Sequence, residues 1–303
     1  MEHSYTSPTE QPIIRFQVIT DTHITTNPEH VHNLQFGQAL RDIKATAPDS
    51  VGIMHVGDLT DSGDDKEYAE VHRIWSENRM GLPDLLVTSG NHDVADQPWR
   101  KDAGTCDWRE LLGNFMDKTG MPGHYHDHWI NGYHFIFLGT EEGTNEFADL
   151  SETQLIWLDA KLAEKAASGK PKFVFLHQPL KNTVAGSSET QGWYGVNQDE
   201  EMKAILNCHP QTILFTGHTH WVLVSPNTIF GGNGSATMFN ASSVAYLWTD
   251  EDVKKAGSEG FFVEVYEESV LVRGRDFTTG TWVEEAHFTV RNALASDQSG
   301  NQY

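Results

Sequence analysis

The chain has 303 residues, 38% of them hydrophobic and 11% aromatic, enough to bury a core and to exclude wholesale disorder. Acidic residues outnumber basic ones 43 to 21, and the resulting charge of −22 disfavours long nucleic acid, whose binders present a basic face. No apolar run approaches the ~18 residues needed to cross a bilayer, and Met1 to Pro12 is polar without a signal core, so a cytoplasmic location is expected.

Short, nearly continuous apolar runs predict strands covered on both faces at Ile13–Thr20, Val51–Val56, Leu85–Ser89, Tyr133–Gly139, Phe173–Leu176 and Thr212–Thr216. Helical spacing lies between them: Phe36, Leu40 and Ile43 ahead of Pro48, then Tyr68, Val71 and Trp75. Ser151 to Gln154 reads as a capping box for a helix burying Leu155, Leu158 and Leu162. The alternation argues a layered α/β domain. Near the end, Phe261–Val265 and Val270–Arg273 read as an antiparallel hairpin, followed by Thr281–Arg291. No linker or repeat divides the chain, so one domain over residues 13–292 is expected, with polar tails at 1–12 and 293–303. Two long irregular stretches, Val94–Asn131 and Lys181–Glu200, are candidates for the walls of a site. Cys106 and Cys208 are too few for a disulfide framework.

The residues that follow the strands carry the chemistry. Asp21-Thr22-His23 follows the first, Gly57-Asp58 the second and Gly90-Asn91-His92-Asp93 the third, with His177 and Gly217-His218-Thr219-His220 after the later ones. Ligands gather at the carboxyl ends of strands in such sheets, so these five segments should converge. Oxygen and imidazole donors without thiolate suit Mn²⁺, Fe or Zn²⁺ and are too rich in nitrogen for Ca²⁺. Each segment alone is weak; a single histidine at a strand end is more often structural. Their ordered combination is specific.

This ordered set resembles the calcineurin-like metallophosphoesterase superfamily from about Ile13 to His220. The resemblance implies a four-layer αββα sandwich of the metallo-dependent phosphatase type and a site for two divalent ions, Mn²⁺, Fe²⁺/Fe³⁺ or Zn²⁺. It implies that Asp21, His23 and His220 hold one ion, that Asn91, His177 and His218 hold the other, and that the Asp58 carboxylate bridges them. A hydroxide shared by the ions would attack phosphorus. His92 would serve the leaving group, with Asp61 preferred over Asp93 as the carboxylate that orients it.

In the phosphoprotein phosphatases of this superfamily an arginine follows the position of Asp61; here it is Ser62. Phosphoprotein phosphatase activity is therefore not expected unless Arg100, Arg109 or Lys181 supplies the clamp. Leu150 to Leu158 resembles a segment of the bacterial phosphodiesterase branch that includes cyclic-nucleotide and glycerophosphodiester enzymes. The expected function is hydrolysis of a small phosphodiester, with no membrane or nucleic-acid partner. The alternatives are a phosphomonoesterase of the same fold and a non-catalytic metal-binding scaffold. Trp193, Tyr194, Trp99 and His126 are candidates to stack on a substrate, although tryptophans in long loops also anchor those loops to the core. His124, His126 and His128 otherwise read as solvated loop histidines. Asn233, Asn240 and Ser242 are candidates to support the metal site.

Overall fold

Residues 11–95, 107–143, 145–165, 168–232 and 234–292 are described by the computed structural model. In chain order the elements of the first half are β1 (Ile14–Ile19), α1 (Val31–Thr46), β2 (Ile53–Val56), α2 (Asp65–Asn78), β3 (Leu85–Thr88), the short α3 (Asn91–Val94), α4 (Trp108–Thr119), β4 (His126–Ile130), β5 (Tyr133–Phe137) and α5 (Glu152–Ala163). They continue with β6 (Lys172–Phe175), α6 (Asp199–Cys208), β7 (Thr212–Thr216), β8 (Ile229–Gly231), β9 (Thr237–Asn240), β10 (Leu247–Trp248), β11 (Lys254–Lys255), β12 (Glu259–Val265), β13 (Ser269–Asp276) and β14 (Thr281–Arg291).

Two six-stranded sheets result, ordered β14-β13-β12-β1-β2-β3 and β4-β5-β6-β7-β9-β8. Within them β1, β2 and β3 run parallel, as do β5, β6, β7 and β9. Side chains alternate across each strand and assign the layers. Phe16, Val18, Met54 and Val56 from one sheet meet Phe135, Phe173, Phe175, Phe215 and Phe239 from the other in a single core. The intervening residues face outward: Ile19, Ile53 and Val87 pack with α1, α2 and α4, while Ile136, Val174 and Leu214 pack with α5 and α6. The order of layers is therefore αββα. Phe16 stands edge-on to Phe135 and Phe173 at 5.1 and 4.8 Å, and its replacement by alanine would cost about 3–5 kcal/mol.

Within the stretch Val94–Asn131, residues 107–131 are more ordered than the sequence suggests. Asp107 caps α4 through Arg109 N, and Gly120 closes the helix at φ 74°. The helix buries Leu111, Leu112 and Phe115. β4 escapes detection because histidines occupy positions where a strand usually shows apolar residues. It pairs with β5 across Asn131-Gly132, both at positive φ, a common hairpin turn. Lys181–Gln198 is mostly irregular as expected, and α6 begins at Asp199. No helix of the described residues is long and apolar enough to cross a membrane.

Candidate metal centre

Parallel strands of both sheets end on the same side of the molecule, and the polar segments that follow them meet there. Asp21 and His23 follow β1, Asp58 follows β2, Asn91 and His92 follow β3, His177 follows β6, and His218 and His220 follow β7. Turning these side chains inward costs backbone strain. Asp21, His23, Asp58, His218 and His220 have φ of 53°, 41°, 51°, 69° and 59°, a region that non-glycine residues rarely enter. Such strain is about 1–3 kcal/mol per residue and persists where surrounding contacts enforce it. Close approach adds a second constraint: a Cβ on Gly90 would collide with the Asp58 carboxylate, and one on Gly217 with Thr20 Oγ1.

Two buried triads result. Ligand atoms of Asp21, His23 and His220 lie within 4.8 Å of one another, and so do those of Asp58, His177 and His218. Asp58 stands between them, its Oδ2 3.7 Å from His23 Nε2 and 3.1 Å from His177 Nε2. Asn91 Oδ1 reaches the second triad, 3.1 Å from His218 Nδ1. Asp21 Oδ2 accepts hydrogen bonds from Thr20 Oγ1 at 2.6 Å and from His218 N at 3.0 Å.

The atoms that remain suit cations. His177 Nδ1–H donates to the Val56 carbonyl at 2.7 Å, which leaves a lone pair on Nε2 directed at the Asp58 carboxylate. His220 Nδ1–H donates to the Tyr246 carbonyl at 3.0 Å, and its Nε2 lies 3.1 Å from His23 Nε2. Buried Asp21 Oδ1 lies 2.9 Å from His220 Nε2, and buried His177 Nε2 lies 3.1 Å from Asp58 Oδ2. Lone pairs and carboxylate oxygens pointed at one another are repulsive unless a proton or a metal ion lies between them.

Protonation follows that logic in the ion-free protein. Burial opposes charge on His23, but the Asp21, Asp61 and Asp58 carboxylates outweigh it and push the imidazole up to about 10. His177 is likewise pushed up to about 9 against burial by Asp58 and Asp21. Burial also works against ionised Asp58 and Asp21. Asp58 is nevertheless held below the usual carboxylate range, chiefly by His177 and His92, and Asp21 by His220 and His177. His218, pushed down to about 3 by burial and by neighbouring His177, stays neutral. The donor set therefore fits divalent ions, with protons as their competitors.

His92 lies beside this centre. Its ring meets that of His23 edge-on at 4.4 Å, and its backbone N–H donates to Asp58 Oδ1 at 2.8 Å. Sequence reasoning assigns the orienting role to the Asp61 carboxylate, but the contact runs through the main chain: His92 Nδ1 lies 2.8 Å from the Asp61 carbonyl oxygen. That carbonyl can only accept, so Nδ1 carries the hydrogen. The Asp61 carboxylate instead lies 3.6 Å from His23 Nδ1, where it faces that imidazole. Asp93 is also otherwise engaged, accepting from the amides of Leu59, Thr60 and Gly90 and from Thr60 Oγ1. It thereby ties together the loops after β2 and β3.

The candidates for substrate contact separate. Trp193 lines the site, with its ring 6.0 Å from His218 and 6.4 Å from Trp248. Tyr194 faces Phe147 at 6.1 Å and the Lys181 ammonium at 5.0 Å. His126 is not a solvated loop histidine. It is buried, stacked on Phe137 at 4.7 Å, with one ring nitrogen on the Val87 carbonyl and the other on His128, so neither remains for a substrate. Arg109 lies over Trp108 and pairs with exposed Asp107, while Lys181 pairs with Glu189. Arg100, Trp99 and Asn233 fall outside the described residues. Asn240 bonds Thr219 Oγ1 and the Trp221 carbonyl, which braces the segment carrying His220. Ser242 donates to Glu259.

Three contributors are not evident from sequence. Tyr246 packs 4.3 Å from the His220 ring, Trp248 faces Trp193, and the Glu146 carboxylate accepts from Asn91 Nδ2 at 2.9 Å. The first two follow β9 and could have been sought at another strand end.

The chain is similar to known proteins in family and fold. Residues 14–222 match the calcineurin-like phosphoesterase family. A probable cyclic nucleotide phosphodiesterase of Rhodococcus erythropolis is 25% identical over 268 residues, which are 84% of this chain and 80% of that one. Among solved structures, the purple acid phosphatase PPD1 of yellow lupin superposes with a TM-score of 0.65 at 14% identity, covering 94% of this chain and 55% of the lupin protein. GAP50, described as the anchor in the inner membrane complex of Plasmodium, gives 0.60 at 12% identity, covering 92% of this chain and 88% of that one. At these identities the two structures speak for the fold alone.

Proposed function

The chain belongs to the calcineurin-like phosphoesterase family, and from that premise we propose that it is a dinuclear metal-dependent phosphodiesterase acting on a small diester, a cyclic nucleotide or a glycerophosphodiester. The observation that carries the dinuclear reading is the place of Asp58, whose carboxylate lies 3.7 Å from one triad's His23 and 3.1 Å from the other's His177. Asp21, His23 and His220 would hold one ion, and Asn91, His177 and His218 the other, with Asp58 shared. Mn²⁺, Fe and Zn²⁺ suit these donors. When bound, such ions supply Lewis acidity toward phosphate oxygens and lower the pKa of water to near neutrality.

The chain's own groups would do the rest. His92, fixed through Nδ1 by the Asp61 carbonyl, would present the Nε2 proton to the departing oxygen as the P–O bond breaks. Trp193 and Trp248 would form an apolar wall beside His218 for the organic part of the substrate. The Rhodococcus relative, named as a probable cyclic nucleotide phosphodiesterase, favours a diester over a monoester.

Hydrolysis of bis-p-nitrophenyl phosphate against p-nitrophenyl phosphate, with added Mn²⁺ and with chelator, tests the proposal. Faster turnover of the diester, abolished by chelator and sharply reduced in His92→Ala, is expected. Faster turnover of the monoester would make the chain a phosphomonoesterase. No turnover of either, with ions bound, would favour a scaffold.

A further inference from the structure

We propose that Glu146 is a positioning residue for the second ion, holding the Asn91 amide so that its oxygen faces the Asp58–His177–His218 pocket; the proposal rests on the metal-dependent reading above. The amide of Asn91 has two unlike ends, and only the oxygen can bind a cation. Asn91 Nδ2 donates to a Glu146 carboxylate oxygen at 2.9 Å, while Oδ1 lies 3.1 Å from His218 Nδ1. The Glu146 carboxylate oxygen accepts from Nδ2, so the NH₂ end faces Glu146 and the oxygen faces inward. Turned the other way, the amide would set oxygen against oxygen on one side and offer an N–H to the metal on the other.

Glu146 is itself braced. It lies on the loop between β5 and α5, whose Ala148 pairs with the 195–197 segment through Ala148 N to the Gly195 carbonyl at 2.7 Å and Asn197 N to the Ala148 carbonyl at 3.0 Å. Gly195 packs so closely that a Cβ there would come 2.7 Å from the Glu146 carbonyl oxygen. The loop thus sets the height at which the carboxylate meets Asn91. By contrast, among the described residues none of the first triad's hydrogen bonds involves this loop.

Outer groups that orient a ligand typically change metal affinity by about 10–100-fold. Mn²⁺ binding, followed by equilibrium dialysis and by electron paramagnetic resonance of the free ion, should show two ions per wild-type chain. In Glu146→Ala one of the two should weaken by about 10–100-fold while the other keeps its affinity. Glu146→Gln, which still offers an oxygen to Asn91 Nδ2, should recover most of that loss. Asn91→Ala should weaken the same ion, and adding Glu146→Ala to it should have little further effect, because the two residues act as one unit. Equal weakening of both ions, unchanged binding in Glu146→Ala, a Glu146→Gln variant as weak as the alanine, or additive losses in the double variant would each overturn the proposal. A wild-type chain that binds fewer than two ions would overturn the reading on which it rests.

Discussion

The two halves of the candidate centre are built differently. Asp21, His23 and His220 are held by the ends of β1 and β7 and by the segment after β9. Thr20 Oγ1 and His218 N bond the Asp21 carboxylate, Ser243 Oγ bonds the Asp21 carbonyl, and the Tyr246 carbonyl fixes His220. In the other half His177 is anchored equally firmly, by the Val56 carbonyl, but Asn91 takes its orientation from Glu146 on a connecting loop. The first half draws on strand ends and on buried segments beside them, whereas Asn91 in the other borrows a contact from the connection between β5 and α5. Rigid elements hold ligands more closely than loops do, so the first half should bind its ion more tightly.

The largest test of this contrast removes what the halves share. Asp58→Asn should weaken both ions and reduce turnover by several kcal/mol, about 10³-fold or more, as read by metal analysis and by rate. Full occupancy by two ions in that variant would deny the bridge. His92→Ala should lower the rate by about 10²–10⁴-fold while both halves keep their metal, the result expected of a residue that would serve the leaving group rather than an ion. Metal loss in His92→Ala would make it a ligand.

Protons probe both halves at once. In the ion-free protein His23 and His177 retain their protons up to about 10 and about 9. Binding at pH 7 must therefore displace protons, so affinity should fall as pH falls, by about tenfold per pH unit for each proton displaced. Calorimetry in buffers of different ionisation enthalpy should detect release from each half. The smallest effect concerns the wall beside the second half. Trp193→Ala should cost about 1–3 kcal/mol in binding of diesters that carry an aromatic base, with little change for glycerol-based diesters. Equal losses for both substrates would make Trp193 a structural anchor.

Much of the first half is legible in sequence, because apolar, β-branched runs stop abruptly at Asp21 and just before the segment that carries His220, and an unpaired polar group after a buried strand is costly without a role. The apolar alternation that places Phe16 and Phe135 in one core and Ile19 and Ile136 outside it is equally legible. Less of the second half could be read. Glu146 is one acidic residue in an acidic loop, with no periodicity to single it out. The contact between His92 and Asp61 uses a backbone carbonyl, which every residue has, so side-chain chemistry pointed to the carboxylate instead. β4 was concealed because histidine replaced the apolar residues that normally announce a strand.

Diffraction from crystals soaked in Mn²⁺, with data collected at the manganese edge, tests the central claim most directly. The account predicts two anomalous peaks about 3.5–4 Å apart on either side of the Asp58 carboxylate. A single peak, or two peaks too far apart to share Asp58, would contradict it.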